Sequence, residues 1–222
     1  MANFYLVATP IGNLEDISLR ALRVLKESDI VFSEKPLKTK RLFDRHEIST
    51  PLKRYHQHSS TAICDKVINL LKQGKDVSFV SEAGTPGISD PGGKLVEAVI
   101  SNLNNTVNVI AIPGPSALAT LVSICDFDLS RFLFLGFLPN KKGRRKFLDL
   151  IKTSSFPVIV YESVYRIEKL LKELQSLGIK EVTVGRELTK KFETVYRGSP
   201  EKILDQLTKE TKKGEFVVAI KK

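Results

Sequence analysis

Tryptophan is absent from this 222-residue chain, which holds one methionine, two cysteines and three histidines. Two thiols are too few for a disulfide scaffold or a zinc ribbon. Cys64 and Cys125 sit in apolar, helix-like stretches, so a reducing cytoplasmic setting is expected. His56 and His58, in Tyr55-His-Gln-His58, could suggest a metal pair, but no further ligand stands at a standard spacing. No metal is therefore expected; the pair reads as structural or surface, with His56 able to line a cleft. No apolar run approaches the ~20 residues that span a bilayer. The N-terminus opens at once on a strand pattern, Phe4-Tyr-Leu-Val-Ala-Thr9, rather than on a secretory signal. Neither a Gly-x-Gly-x-x-Gly fingerprint nor a Walker P-loop occurs, which sets aside ordinary dinucleotide and ATP phosphate binding. Internal repeats and low-complexity tracts are also missing.

What is present is an ordinary globular composition, 42% hydrophobic and 27% charged, carrying a net charge of +10. That charge is unevenly placed. Residues 1–128 hold 14 Lys+Arg and 14 Asp+Glu, whereas residues 129–222 hold 21 and 11, so the whole excess lies in the second part. A basic half facing a neutral one suggests a polyanionic partner, because neutralising phosphates releases counterions.

Short apolar strands alternate with helical periods. Strands are expected at Tyr5–Ala8, Ile30–Ser33, Val77–Val80 and Val107–Ala111, and helices at Asp16–Ser28, Thr61–Gln73, Gly92–Asn102 and Ser116–Ile124. This alternation predicts an α/β fold with a mostly parallel sheet covered on both faces. The polar stretch Asp126–Arg131 places a domain boundary near residue 128. Beyond it, helices at Lys142–Lys152, Val164–Leu177 and Glu201–Thr208 accompany strands at Phe132–Leu135, Val158–Tyr161, Val182–Arg186 and Glu215–Ile220, with Phe192–Tyr196 suited to antiparallel pairing.

Three Gly/Pro loops follow strands in the first half. They are Thr9-Pro-Ile-Gly-Asn13, Ile112-Pro-Gly-Pro-Ser-Ala117, and Ser81–Gly93, which holds four of the thirteen glycines. Any one alone is an ordinary turn. Three on one edge of an open sheet, beyond the carboxyl ends of its strands, could converge on a ligand crevice.

These residues resemble the tetrapyrrole methylase superfamily, and within it the ribosomal RNA small subunit methyltransferase I family. The resemblance is carried by Thr9–Ile17, Ser81–Gly93, Pro113–Ala117, Gly136-Phe-Leu-Pro139 with Lys142-Gly-Arg-Arg145, Tyr161-Glu-Ser163 with Arg166, Arg186-Glu-Leu-Thr-Lys190 with Glu193, and Lys213-Gly-Glu215. It implies two α/β domains, 1–128 and 129–222, with S-adenosylmethionine in the cleft between them, and a homodimer. It also implies methylation of the ribose 2′-oxygen of a cytidine in the decoding region of 16S rRNA, with the small ribosomal subunit as partner. Cofactor contacts carried over by position are Pro10, Ile11, Ala83, Gly84, Thr85, Ile88, Ser116, Ala117 and Glu162. One departure stands out: where the family usually shows Glu-Asp-Thr-Arg, this chain has Glu34-Lys-Pro-Leu37. Glu82 stands where Asp is common.

Methyl transfer from a sulfonium chiefly requires alignment of the hydroxyl and removal of its proton. Glu34, Glu187, Lys190 and Glu193 are the candidates for that work. Lys141, Lys142, Arg144, Arg145, Arg166 and Arg186 are the candidates for gripping RNA phosphates, which position without reading sequence. Two other readings stay open: a methylase of the same fold acting on a small molecule such as a tetrapyrrole, and a non-catalytic RNA- or ribosome-binding protein.

Overall fold

The computed structural model describes residues 1–55, 60–209 and 214–222. His56, His58 and Lys213 lie outside the described residues. The chain divides into two compact units, Met1–Ser116 and Ala117–Lys222.

The first unit runs β1 (Ala2–Val7), α1 (Leu19–Glu27), β2 (Ile30–Ser33), α2 (Pro36–Arg45), β3 (Leu52–Arg54), α3 (Ser60–Lys72), β4 (Val77–Val80), α4 (Gly93–Leu103) and β5 (Val107–Ile112). Its sheet has the order β3-β2-β4-β1-β5, and every pair is parallel. The interior strands β2, Ile-Val-Phe-Ser, and β4, Val-Ser-Phe-Val, are buried at every position, as strands covered on both faces must be. Phe4, Phe32 and Phe79 pack on one face with Val67 and Leu71 of α3 and Leu95 and Val99 of α4. Val7, Val31 and Val80 pack on the other with Ala21 and Leu25 of α1 and Leu42 and Phe43 of α2.

Two elements were not anticipated. The α2 segment, Pro-Leu-Lys-Thr-Lys-Arg-Leu-Phe-Asp-Arg, buries only Thr39, Leu42 and Phe43, too thin a stripe to stand out. The edge strand β3 is three residues long and mostly exposed. The expected helix Asp16–Ser28 begins later: Leu14–Asp16 forms a 3-10 turn, and α1 starts after Ser18, whose side chain accepts from the Ala21 N–H.

The second unit runs α5 (Ala117–Ile124), β6 (Leu133–Phe137), α6 (Arg144–Thr153), β7 (Val158–Ser163), α7 (Ile167–Ser176), β8 (Val182–Arg186), β9 (Thr194–Gly198), α8 (Pro200–Thr208) and β10 (Glu215–Ile220). Its sheet order is β6-β7-β10-β8-β9. Only β6 and β7 are parallel; β10 pairs antiparallel with both β7 and β8, and β9 antiparallel with β8. One large core, including Val158, Val160, Leu170, Leu174, Val184, Ile203 and Val218, holds the unit together. The division at Ser116–Ala117 falls ahead of the expected residue 128 because α5 packs against β10, as Leu121 against Gly185 also shows.

Candidate active site

In a parallel sheet all carboxyl ends lie on one edge, and β4, β1 and β5 are neighbours in that order. The three Gly/Pro loops therefore leave the sheet side by side, and the structure interlocks them. The Ala8 N–H donates to Ile112 O at 3.1 Å. Thr9 and Gly84 exchange two backbone hydrogen bonds, Thr9 N to Gly84 O at 3.0 Å and Gly84 N to Thr9 O at 2.9 Å. Thr85 Oγ1 then donates to Pro115 O at 3.0 Å, closing the circuit.

Glycine is required at the contact points. Gly84 has φ +78°, and a Cβ there would lie 3.2 Å from Ile11 Cγ2 and 3.6 Å from Pro115 O. A Cβ on Gly114 would lie 3.1 Å from Ala8 Cβ. Around this junction Pro10, Ile11, Ala83, Thr85, Ile88 and Ser116 are half-buried, offering a partly apolar wall beside backbone groups. Ser89, with φ 58°, bends the chain beyond Ile88. Ala117 begins α5 and belongs to the second unit.

On the other side of β4, the Glu34 N–H donates to Val80 O at 3.4 Å, so Glu34 stands on the same edge as the loops. Its Oε2 is buried with no hydrogen-bond partner among the described residues. A buried carboxylate oxygen is costly to leave unpaired, so this one calls for a hydrogen-bond donor. The atypical segment following it is tied to the loops. Lys35 and Lys38 both pair with Glu82 of the Ser81–Gly93 loop. Burial pushes the Glu82 carboxyl up, but the hydrogen bonds and charges of the two lysines outweigh this and hold it below its ordinary value. Sequence reading missed this clamp, because Lys38 sits on a helix that the apolar pattern did not reveal.

The remaining candidates lie in the second unit. Glu187 (φ 51°) and Thr189 (φ 67°) adopt left-handed backbone in a tight turn after β8. Glu187 Oε1 accepts from Lys190 Nζ at 2.8 Å and from the Glu215 N–H at 2.9 Å. Burial acts to lower Lys190, yet Glu187 and Glu215 hold it above its ordinary value. Burial likewise acts to raise Glu187, and Lys190 with the Glu215 N–H holds it below. Lys190 thus stays charged and makes a poor general base. Glu193 is exposed, its Oε2 accepting from the Thr189 N–H at 2.5 Å.

Several arginines expected to grip phosphate are used internally. Arg144 is 4% exposed, with Nε 3.0 Å from both Glu173 oxygens and Nη2 2.6 Å from Glu173 Oε2. Arg186 is 8% exposed and donates to Tyr196 Oη at 3.3 Å. Arg166 donates from Nη1 to Leu138 O at 2.8 Å and pairs through Nε with Glu162 Oε1 at 2.8 Å. A guanidinium held this way is not presented to a passing phosphate. Glu162, expected against the cofactor, has a fully buried side chain: its Oε1 meets Arg166 Nε at 2.8 Å, while Oε2 lies 3.7 Å from Arg144 Nη1 and has no hydrogen-bond partner among the described residues. Burial raises its carboxyl, and the Ser163 N–H and the two arginines offset this only in part. Lys141, Lys142 and Arg145 remain exposed, as expected. Among the described residues no group of three His, Cys, Asp or Glu could hold a metal ion, and no helix is long and apolar enough to cross a membrane.

An all-parallel unit with three interlocked Gly/Pro loops, followed by a mixed five-stranded unit, is the architecture of the tetrapyrrole (corrin/porphyrin) methylases, whose family model matches residues 3–204. A solved structure of that kind, uroporphyrin-III C-methyltransferase from Thermus thermophilus complexed with S-adenyl homocysteine, superposes with a TM-score of 0.62 at 20% identity, covering 98% of this chain and 97% of the other. The protein named ribosomal RNA small subunit methyltransferase I from Leptospira biflexa is 43% identical over 217 residues, 96% of this chain and 88% of its own. Its namesake from Thermotoga maritima is 37% identical over 221 residues, 99% of this chain and 98% of its own. The chain belongs to the ribosomal RNA small subunit methyltransferase I family.

Proposed function

We propose that this chain is an S-adenosylmethionine-dependent methyltransferase acting on small-subunit ribosomal RNA, and that its target is the ribose 2′-hydroxyl of a cytidine in the decoding region of 16S rRNA. The observation that carries the reading is the interlocked junction of Thr9, Gly84 and Pro115, found in a chain whose relatives are named for this RNA. S-adenosylmethionine supplies an activated methyl group when bound. Pro10, Ile11, Ala83, Gly84, Thr85, Ile88, Ser116 and Ala117 are the residues that would hold it, through backbone groups and a close apolar wall. The junction is held by the chain's own hydrogen bonds, so it is preorganised rather than assembled around the ligand.

Glu34 is the favoured partner for the ribose hydroxyl, because its Oε2 is buried with no hydrogen-bond partner among the described residues. A carboxylate there can accept the hydroxyl hydrogen bond and take the proton as the oxygen becomes a nucleophile. The carboxylates of Glu187 and Glu193 are already occupied by Lys190 and by the Thr189 N–H, which leaves them less suited to take a proton. The excess of ten positive charges in residues 129–222 favours RNA over a small tetrapyrrole. A homodimer working in the cytoplasm beside the small subunit completes the proposal.

Labelled S-adenosylmethionine incubated with the protein and 30S subunits lacking the modification tests it directly. Label is expected in a 2′-O-methylcytidine of 16S rRNA, and to fall by at least about a hundredfold in Glu34→Gln, the range typical for loss of a general base. Absence of cofactor binding by calorimetry would end the enzymatic reading; cofactor binding without RNA labelling would return it to a small-molecule substrate.

A further inference from the structure

Within the second unit, β6 and β7 are parallel neighbours, so the loops following them leave the same edge. Two arginines pin the loop after β6 by its carbonyls. Arg166, in the loop after β7, donates to Leu138 O at 2.8 Å, and Arg144 donates to Pro139 O at 3.1 Å. Each guanidinium is backed by a glutamate: Arg144 by Glu173 of α7, Arg166 by the buried Glu162 of β7, with Arg144 Nη1 also 3.7 Å from Glu162 Oε2. Both guanidiniums are thus spent on partners inside the unit, so the quartet contributes alignment rather than a grip on phosphate.

What it aligns is the segment immediately beyond Pro139: Asn140-Lys141-Lys142-Gly143, followed by Arg145. Lys141, Lys142 and Arg145 are exposed and have no ion-pair partner among the described residues. On the same edge stands Tyr165, 94% exposed, in a turn closed by the Arg166 N–H to Ser163 O at 3.0 Å. Arg166 reaches Leu138 O through its guanidinium, and three residues of chain span at most about 11 Å, so the tyrosine and the lysines lie on the same edge of the unit. Phe137, 51% exposed, rests edge-on against Tyr161 at 5.5 Å on the same edge. A solvated ring on the same edge as exposed cations matches the chemistry of single-stranded nucleic acid, whose bases stack and whose phosphates need counter-charge.

We propose that Tyr165 stacks a base of single-stranded ribosomal RNA while Lys141, Lys142 and Arg145 hold adjacent phosphates, and that Arg144, Arg166, Glu162 and Glu173 are the positioning residues of this platform. The inference rests on the RNA reading above and adds where the RNA is held. Tyr165 was not among the candidates read from sequence.

The full-length protein is titrated against a fluorescent single-stranded fragment of 16S rRNA at several salt concentrations, with S-adenosylmethionine affinity measured in parallel. Tyr165→Ala is expected to weaken RNA binding about tenfold with the salt slope unchanged, and Tyr165→Phe to bind as the native chain does. Replacing Lys141 and Lys142 together by Ala is expected to make the log–log salt slope shallower by about 1.4, two single-strand phosphates. Cofactor affinity stays constant in all of these. Glu173→Ala, which frees Arg144, is expected to flatten the slope although both lysines remain. A lower melting temperature with an unchanged slope would reduce the quartet to a structural role. RNA affinity unaltered in Tyr165→Ala overturns the stacking proposal alone, and so does a change of oligomeric state without a change in RNA affinity. Failure of the unmodified protein to bind the fragment or label 30S subunits overturns the RNA reading with it.

Discussion

Gly84 offers the sharpest test of the loop junction, because its backbone strain and its close contacts can be separated. Its φ is +78°, and an added Cβ would press on Ile11 Cγ2 at 3.2 Å. Gly74, at the end of α3, has nearly the same φ, +80°, with nothing within 4 Å of its virtual Cβ. Alanine at either site is forced into left-handed backbone, at about 1–2 kcal/mol. Only Gly84→Ala adds crowding, since Ile11 must give by a few tenths of an ångström while the Thr9–Gly84 bonds hold the loops together. Both variants should therefore lose stability, by roughly 2–4 °C of melting temperature per kcal/mol for a chain of this size. Cofactor affinity should part them. If Gly84→Ala relieves its strain by opening the junction, about 1.5–3 kcal/mol is taken from binding, a rise in Kd of roughly 10- to 150-fold. Gly74→Ala should bind as the native protein does. Calorimetric titration with S-adenosylmethionine and thermal melts of the three proteins decide the matter. Native affinity in Gly84→Ala, or an equal loss in Gly74→Ala, would refute the argument that the three-loop contact builds the donor site.

Other perturbations have equally definite outcomes. Thr85→Val removes the hydroxyl that reaches Pro115 O and should reduce stability by about 1 kcal/mol, with a matching loss of cofactor affinity in the same titration. Glu82 is held below its ordinary 4.5, so its stabilisation is present above that pH and is lost as the pH falls through the lowered value. The difference in unfolding midpoint between native protein and Glu82→Gln, no more than about 1 kcal/mol for such half-exposed pairs, should shrink as solutions are taken well below 4.5. Lys190→Ala should flatten the stability profile at both ends: Glu187 loses its advantage in acid, and the raised Lys190 no longer contributes an advantage that fades as the pH climbs past 10.5. Arg144→Ala leaves Glu173 and the buried Glu162 without a shared cation and should destabilise the second unit by roughly 3–5 kcal/mol in denaturant titrations.

The parallel first unit was readable because its strands are short apolar runs punctuated by Gly/Pro loops; β2 and β4 emerge with the expected limits, Ile30–Ser33 and Val77–Val80. Helix α2 was not readable, since a ten-residue segment rich in Lys and Arg with three buried positions carries too little apolar content to stand out. The same blindness concealed Lys38 and the clamp on Glu82. In the second unit the arginines misled for a different reason. Composition counts a guanidinium as positive wherever it lies, and only the fold reveals that Arg144 and Arg186 are buried and bonded.

The sequence by itself determined the class of fold, the family, the three Gly/Pro loops and the basic character of the second half, because those are properties of local pattern and net charge. The tertiary structure decided which groups are free to act. Hydrogen-bond partners come from residues distant along the chain, as with Thr9 and Gly84, Thr85 and Pro115, or Arg144 and Glu173. Whether a charge faces solvent, a partner or nothing at all, as at Glu34 Oε2, is settled only when those distant segments meet.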